Sequence, residues 1–196
     1  MVAATKKKKK VWSYADYCEI DDGKRYELIA GKIYAMNAPT TEHQRVCLKV
    51  AVLLYDFFQD KACEVFISPV DVALRKKRKS DREIFDVVQP DLLVVCDEKI
   101  IEKRGIFGAP DLVVEIFSPS TASHDNIRKR RLYEENGVKE YWLIGTEDRL
   151  IRVYKLDKDG HYRYEEVYDS SSTFAVAQFP GLEIDCGKIF PKNQEE

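Results

Sequence analysis

The clearest signal along the chain is a change of period. Over residues 41–61, Val46, Val50, Leu53, Leu54, Phe57 and Phe58 recur at steps of three and four, which places them on one face of a helix. Thr41 and Gln44 form a capping-box pattern at its start. Around this helix the apolar positions alternate instead. Residues 25–36 predict two short strands turning at Ala30-Gly31, where glycine takes the positive φ that such a turn needs. Residues 64–74 predict a strand through Val65, Ile67, Val70 and Val72, ending in the basic loop Arg75-Lys76-Lys77-Arg78-Lys79. Two more strands follow over 86–96 and 109–117, joined by a polar loop with Gly105 and Gly108.

Ser118-Pro119-Ser120-Thr121 then breaks the strand and supplies hydroxyl N-caps for a second helix running to about Asn136, with Gly137 as its C′ residue. Tyr141-Trp142-Leu143-Ile144 and Leu150-Ile151-Arg152-Val153-Tyr154 predict a hairpin, residues 162–168 its further partner, and the segment to Phe190 a short strand with an end helix or coil. Ser13 is the N-cap candidate of a short helix over 11–17. From Thr41 the order is helix, three strands, helix, strand. That order predicts an α/β fold with a mixed sheet, a helix on either side, and additional hairpins before and after.

Composition adds less. At 196 residues and 44% hydrophobic content, one medium domain over 11–196 is expected behind a leader, 1–10. In that leader the lysines of 6–10 read as a solvated run or as a weak phosphate-attracting arm. Lys and Arg number 32 against 34 Asp and Glu, so net charge announces no nucleic-acid partner. No apolar stretch approaches the ~20 residues that span a bilayer, and the leader lacks a signal peptide's apolar region, so no membrane partner is expected. Cys18, Cys47, Cys63, Cys96 and Cys186 are odd in number and contain no C-x-x-C pair. This disfavours a disulfide framework and a structural zinc site, and points to a reducing cytoplasm.

The candidate chemistry lies where acids interrupt apolar runs. Asp91 opens Leu-Leu-Val-Val, and Glu115 follows Leu-Val-Val and precedes Ile-Phe. A buried carboxylate is costly unless it is paired or holds a cation, so both are candidate ligands of one divalent metal, Mg²⁺ or Mn²⁺, which prefer hard oxygen donors. Asp111, also after a proline, is read as a strand-terminating acid rather than a ligand. His43 is read as a polar helix-start residue rather than a base. On the second helix, Ala122, Asp125, Lys129, Leu132 and Tyr133 share one stripe. Lys129 therefore faces the core, where an ammonium can reach Glu115; an Asp125–Lys129 pair and a snorkelling lysine are the plainer readings.

Gln89-Pro90-Asp91-Leu92, Gly108 through Ile116, Ser118-Pro119-Ser120-Thr121, Lys129, Leu132-Tyr133, Gly137-Val138 and Glu140-Tyr141-Trp142-Leu143 together resemble the Uma-type restriction endonucleases of the PD-(D/E)XK superfamily, numerous in cyanobacteria. Tyr26-Glu27-Leu28-Ile29, Gly31 and His43-Gln44 match as well. The resemblance implies a restriction-endonuclease-like core and metal-dependent hydrolysis of DNA, with Asp91 as the motif aspartate, Glu115 as the acid of the E-x-K element and Glu27 as a further acid. Phe117 stands where that element has its lysine, so the resemblance passes the cationic role to Lys129. A homodimer is the arrangement by which the superfamily often cuts two strands. The competing readings are a nuclease-fold protein that binds nucleic acid or a protein partner without cutting, and an enzyme of another phosphate substrate.

Overall fold

The computed structural model describes residues 11–75, 80–117 and 122–190, and of residues 122–126 the backbone alone. The lysine run of the leader, the tip of the basic loop at 76–79, the caps at 118–121 and the Asp125–Lys129 pair all lie outside the described residues or side chains.

Ser13 caps α1 (Tyr14–Tyr17) in a capping box with Asp16. β1 (Tyr26–Ile29) and β2 (Lys32–Ala35) form the first hairpin, and both turn residues have positive φ, Ala30 at 48° and Gly31 at 68°. Such a turn matches the twist of the strands that it joins. In α2 (Thr41–Phe58) the N-cap is Thr40 rather than Thr41: the Thr40 backbone is extended and its hydroxyl accepts the His43 N–H at 3.2 Å.

The predicted strand at 64–74 is two strands, β3 (Glu64–Ile67) and β4 (Val72–Ala73). The one at 86–96 likewise divides into β5 (Val87–Val88) and β6 (Leu92–Val95). Each break contains a proline, Pro69 or Pro90, which has no N–H to continue a ladder. In the polar loop that follows, β7 (Ile101–Glu102) and β8 (Gly105–Ile106) form a small hairpin. Next come β9 (Leu112–Phe117) and α3 (Ala122–Asn136), which ends at Gly137 with φ 83° and a Val138 N–H donated to the Tyr133 carbonyl at 3.0 Å. The chain closes with β10 (Glu140–Gly145), β11 (Ile151–Lys155), β12 (Glu165–Tyr168), β13 (Thr173–Ala175), β14 (Glu183–Asp185) and α4 (Cys186–Ile189).

The fold is α/β with a mixed sheet. The larger sheet runs β12-β11-β10-β9-β6-β3, antiparallel except for the β9–β10 pair that α3 connects. A second sheet, β2-β1-β5-β4-β8-β7, receives the outer halves of both divided strands. One face of the larger sheet packs on α2, α4 and the β13–β14 pair, through Val114, Ile116, Trp142 and Val50 among others. Its other face meets the second sheet and α3 around Val113, Tyr133, Tyr141 and Ile29, and α1 covers the far side of the second sheet.

The cysteine expectation needs correction. Cys63 and Cys96 form a disulfide, with Cα atoms 4.0 Å apart. The cause is register: the Glu64–Val95 pairing of β3 with β6 brings the residues just beyond, 33 apart in sequence, directly opposite each other.

Candidate functional site

The β9 register assembles the site. Side chains alternate along a strand, so Glu115 shares with Val113 the face turned toward α3 and the second sheet. Leu92 pairs with Val114 across β6 and β9, and one step further along this antiparallel ladder Asp91 stands opposite Glu115. Asp91 thus sits where the chain crosses between sheets. Its Oδ2 accepts the Ile116 N–H at 2.8 Å and lies 3.1 Å from His43 Nε2, in the first turn of α2.

The stripe on α3 supplies the cation. Lys129 Nζ is 2.9 Å from Glu115 Oε1, and the Tyr133 hydroxyl, one turn along, donates to the same oxygen at 2.6 Å. From β1, Glu27 reaches Lys129 Nζ at 2.9 Å and also accepts the Gln89 N–H at 3.0 Å. Lys129 is therefore clamped between two carboxylates carried by different sheets, with side-chain exposures of 12% for the lysine, 8% for Glu27 and 11% for Glu115. The tyrosine belongs to the stripe that marked Lys129. The role of Gln89 could not be seen in the sequence, because it arises from the crossing between sheets.

Burial sets the electrostatics. Desolvation raises Glu115 from the ordinary 4.5 to about 7; Lys129 opposes the rise, while the neighbouring charges of Asp91 and Glu27 add to it. Desolvation pulls Lys129 down, but Glu115 and Glu27 outweigh it, so the ammonium holds its proton well above the usual lysine range. For His43 burial lowers and the Asp91 hydrogen bond raises, with a net upward shift. His43 Nδ1 is buried with no partner among the described residues, so the neutral ring is assigned its proton on Nε2, facing Asp91.

Glu27, His43, Asp91, Glu115 and Lys129 all line one cleft of about 410 Å³, with the segment after β2 and the turn after β3 as its walls. His43, read from sequence as a helix-start residue, is thus also a cleft residue. Asp111 lies elsewhere: it is buried, accepts the Cys96 N–H at 2.8 Å and pairs with Lys139 at 2.6 Å, tying the start of β9 to its neighbours instead of facing solvent. Phe117 joins the apolar packing beside Glu115, with the Arg152 guanidinium 5.8 Å from its ring centroid.

The donor chemistry suits a divalent ion. Three carboxylates, Glu27, Asp91 and Glu115, face one cleft with the Lys129 ammonium and the Arg25 guanidinium, and carboxylate oxygens are the hard donors that such an ion takes. Among the described residues no group of three or more His, Cys, Asp and Glu is arranged to hold a metal. An ion here would rest on few protein donors and complete its shell with backbone, water or substrate oxygens, as Mg²⁺ does.

Comparison with known proteins agrees with this architecture. The profile of the Uma2 family, described as "Putative restriction endonuclease", matches residues 13–187. The "Uncharacterized protein slr1290" of Synechocystis sp. (strain ATCC 27184 / PCC 6803 / Kazusa) is 27% identical over 139 residues, 70% of this chain and 70% of that one. A crystal structure described as "a putative nuclease belonging to DUF820", from Anabaena variabilis ATCC 29413, superposes with a TM-score of 0.73 at 18% identity, covering 91% of this chain and 97% of the other. That likeness establishes a shared fold. No helix among the described residues is long and apolar enough to cross a membrane.

Proposed function

Because this chain belongs to the Uma2 family, which matches it over residues 13–187, we propose that it is a metal-dependent endonuclease hydrolysing DNA phosphodiester bonds. The observation that carries this reading is that Asp91 lines the same cleft in which Glu27 and Glu115 hold Lys129 between them. Asp91 and Glu115 would hold Mg²⁺ or Mn²⁺, which when bound neutralises charge developing on the phosphodiester. The remaining work falls to side chains. Ile116 N–H and His43 orient Asp91, and Tyr133 orients Glu115. Lys129, permanently charged and held by Glu27, stabilises the oxygens of the phosphorus under attack. A water oxygen bonds to phosphorus as the bridging P–O bond breaks, and the proton that this water loses is matched by the one the departing oxygen takes from solvent, leaving one phosphate-ended strand and one hydroxyl-ended strand.

The lack of a cluster of three metal donors among the described residues favours one other reading, a nuclease-fold protein that binds nucleic acid or a protein partner without cutting. Supercoiled plasmid separates the two. The nuclease reading requires nicking or linearisation that depends on Mg²⁺ or Mn²⁺ and disappears in Asp91→Asn and Glu115→Gln. Retention of DNA by the wild type with no cleavage under any divalent ion selects the binding reading.

A further inference from the structure

Two fixed cations line the cleft among the described residues, and they are in opposite states. Lys129 is ion-paired with two carboxylates, whereas Arg25 makes no ion pair with any described acid. Arg25 is nevertheless firmly held. Its Nε donates to Gln89 Oε1 at 2.9 Å and one terminal nitrogen donates to Ser68 Oγ at 2.6 Å. Gln89 is fixed in turn, its Nε2 donating to Asp71 Oδ1 at 2.8 Å, an oxygen that also accepts the Tyr17 hydroxyl at 3.0 Å. A half-buried guanidinium secured by neutral groups keeps its full charge and spare donors in a fixed plane, the form in which arginine recognises phosphate.

Its position relates it to the proposed reaction centre. Arg25 lies two residues before Glu27, which by strand alternation places it on the same side, roughly 7 Å along the chain. Ser68, its other partner, donates its backbone N–H to the Asp91 carbonyl at 3.0 Å. We infer that Arg25 is the anchor of a separate anion subsite in this cleft, taking a backbone phosphate that flanks the scissile one. The inference rests on the nucleic-acid reading of the same cleft. It assigns Arg25 to binding and Gln89 to positioning, and leaves bond breaking to the groups already described.

The test is equilibrium binding of a fluorescein-labelled oligodeoxynucleotide, single-stranded and duplex, measured by anisotropy across a salt series with Ca²⁺ in place of Mg²⁺. Arg25→Ala is expected to weaken binding roughly tenfold to hundredfold, as losing a charge-assisted hydrogen bond does. It should also reduce the slope of log K against log salt by about 0.7 to 0.9, one phosphate contact. Arg25→Lys should recover the slope but only part of the affinity, because the charge returns without the planar fork. Gln89→Met should keep the slope and lose affinity. Arg82→Ala, the same charge change at an exposed arginine in the turn before β5, is the control. Equal losses at Arg25 and Arg82, or a folded Arg25→Ala with unchanged affinity and slope, would overturn the subsite, as would a wild type that binds neither oligonucleotide. Arg25-dependent binding without metal-dependent cleavage would uphold the subsite and remove the nuclease reading.

Discussion

Replacing Lys129 by methionine keeps the length of the side chain while removing the charge held between Glu27 and Glu115. All three groups are nearly buried. Breaking a buried pair from one side costs about 3–5 kcal/mol, because the remaining charge is left without compensation. The cost must depend on pH. A carboxyl whose folded pKa lies above its unfolded one binds its proton more tightly when folded. In the wild type, Glu115 therefore contributes fully below its ordinary 4.5, and that contribution is lost as pH rises to about 7. Lys129, raised above the lysine range, stays charged throughout this window and adds no slope of its own. Without the ammonium, the affinity of Glu115 for its proton rises further, so the variant keeps losing stability above pH 7 where the wild type is level. The gap between the two should be smallest and nearly level at pH 5 and 6, where both proteins lose stability in parallel, and should widen from about pH 7 upward, by at most about 1.4 kcal/mol per unit. His43, which burial lowers and the Asp91 hydrogen bond raises to a net upward shift, is present in both proteins, so its contribution largely cancels in the difference. Urea unfolding in EDTA at pH 5, 6, 7 and 8 measures the gap. A destabilisation equal at pH 5 and pH 8 would refute the reasoning, since it would mean that Lys129 acts through the packing of its stem.

Three further outcomes are expected. His43→Gln should raise the Mg²⁺ concentration needed for half-maximal cleavage about 10-fold or more, because Asp91 loses one of the two groups that orient it; a direct Tb³⁺ luminescence titration checks this without relying on activity. Cys63→Ser, or reduction of the wild type, should lower stability by up to about 3–4 kcal/mol, the loop entropy of a bridge spanning 33 residues; thermal unfolding with and without dithiothreitol, alongside thiol counting, measures it. Ala30→Gly should stabilise by about 0.5–1 kcal/mol in urea, because alanine there occupies φ 48° in a turn that glycine enters freely.

Local pattern was sufficient for much of this protein. The spacing of apolar residues located α2, the alternation around Glu115 gave its face, and Gly137 marked the end of α3, since each depends on residues close in sequence. The stripe that aligned Lys129 with Leu132 and Tyr133 placed the ammonium on the core side of α3, and the structure brings it to Glu115. Contacts between distant segments were decided elsewhere. Two runs that read as continuous strands each break around a proline and pass between sheets, and the second crossing sets Asp91 opposite Glu115 and Gln89 against Glu27. The same register closed a disulfide between cysteines whose spacing gave no sign of it. His43 and Arg25 acquired their places in the cleft in this way too. Each is an ordinary polar residue at the start of a helix or strand, and only packing of the two sheets determines what stands in front of it. Periodicity tells which way a side chain points; what it meets depends on how the sheets are joined.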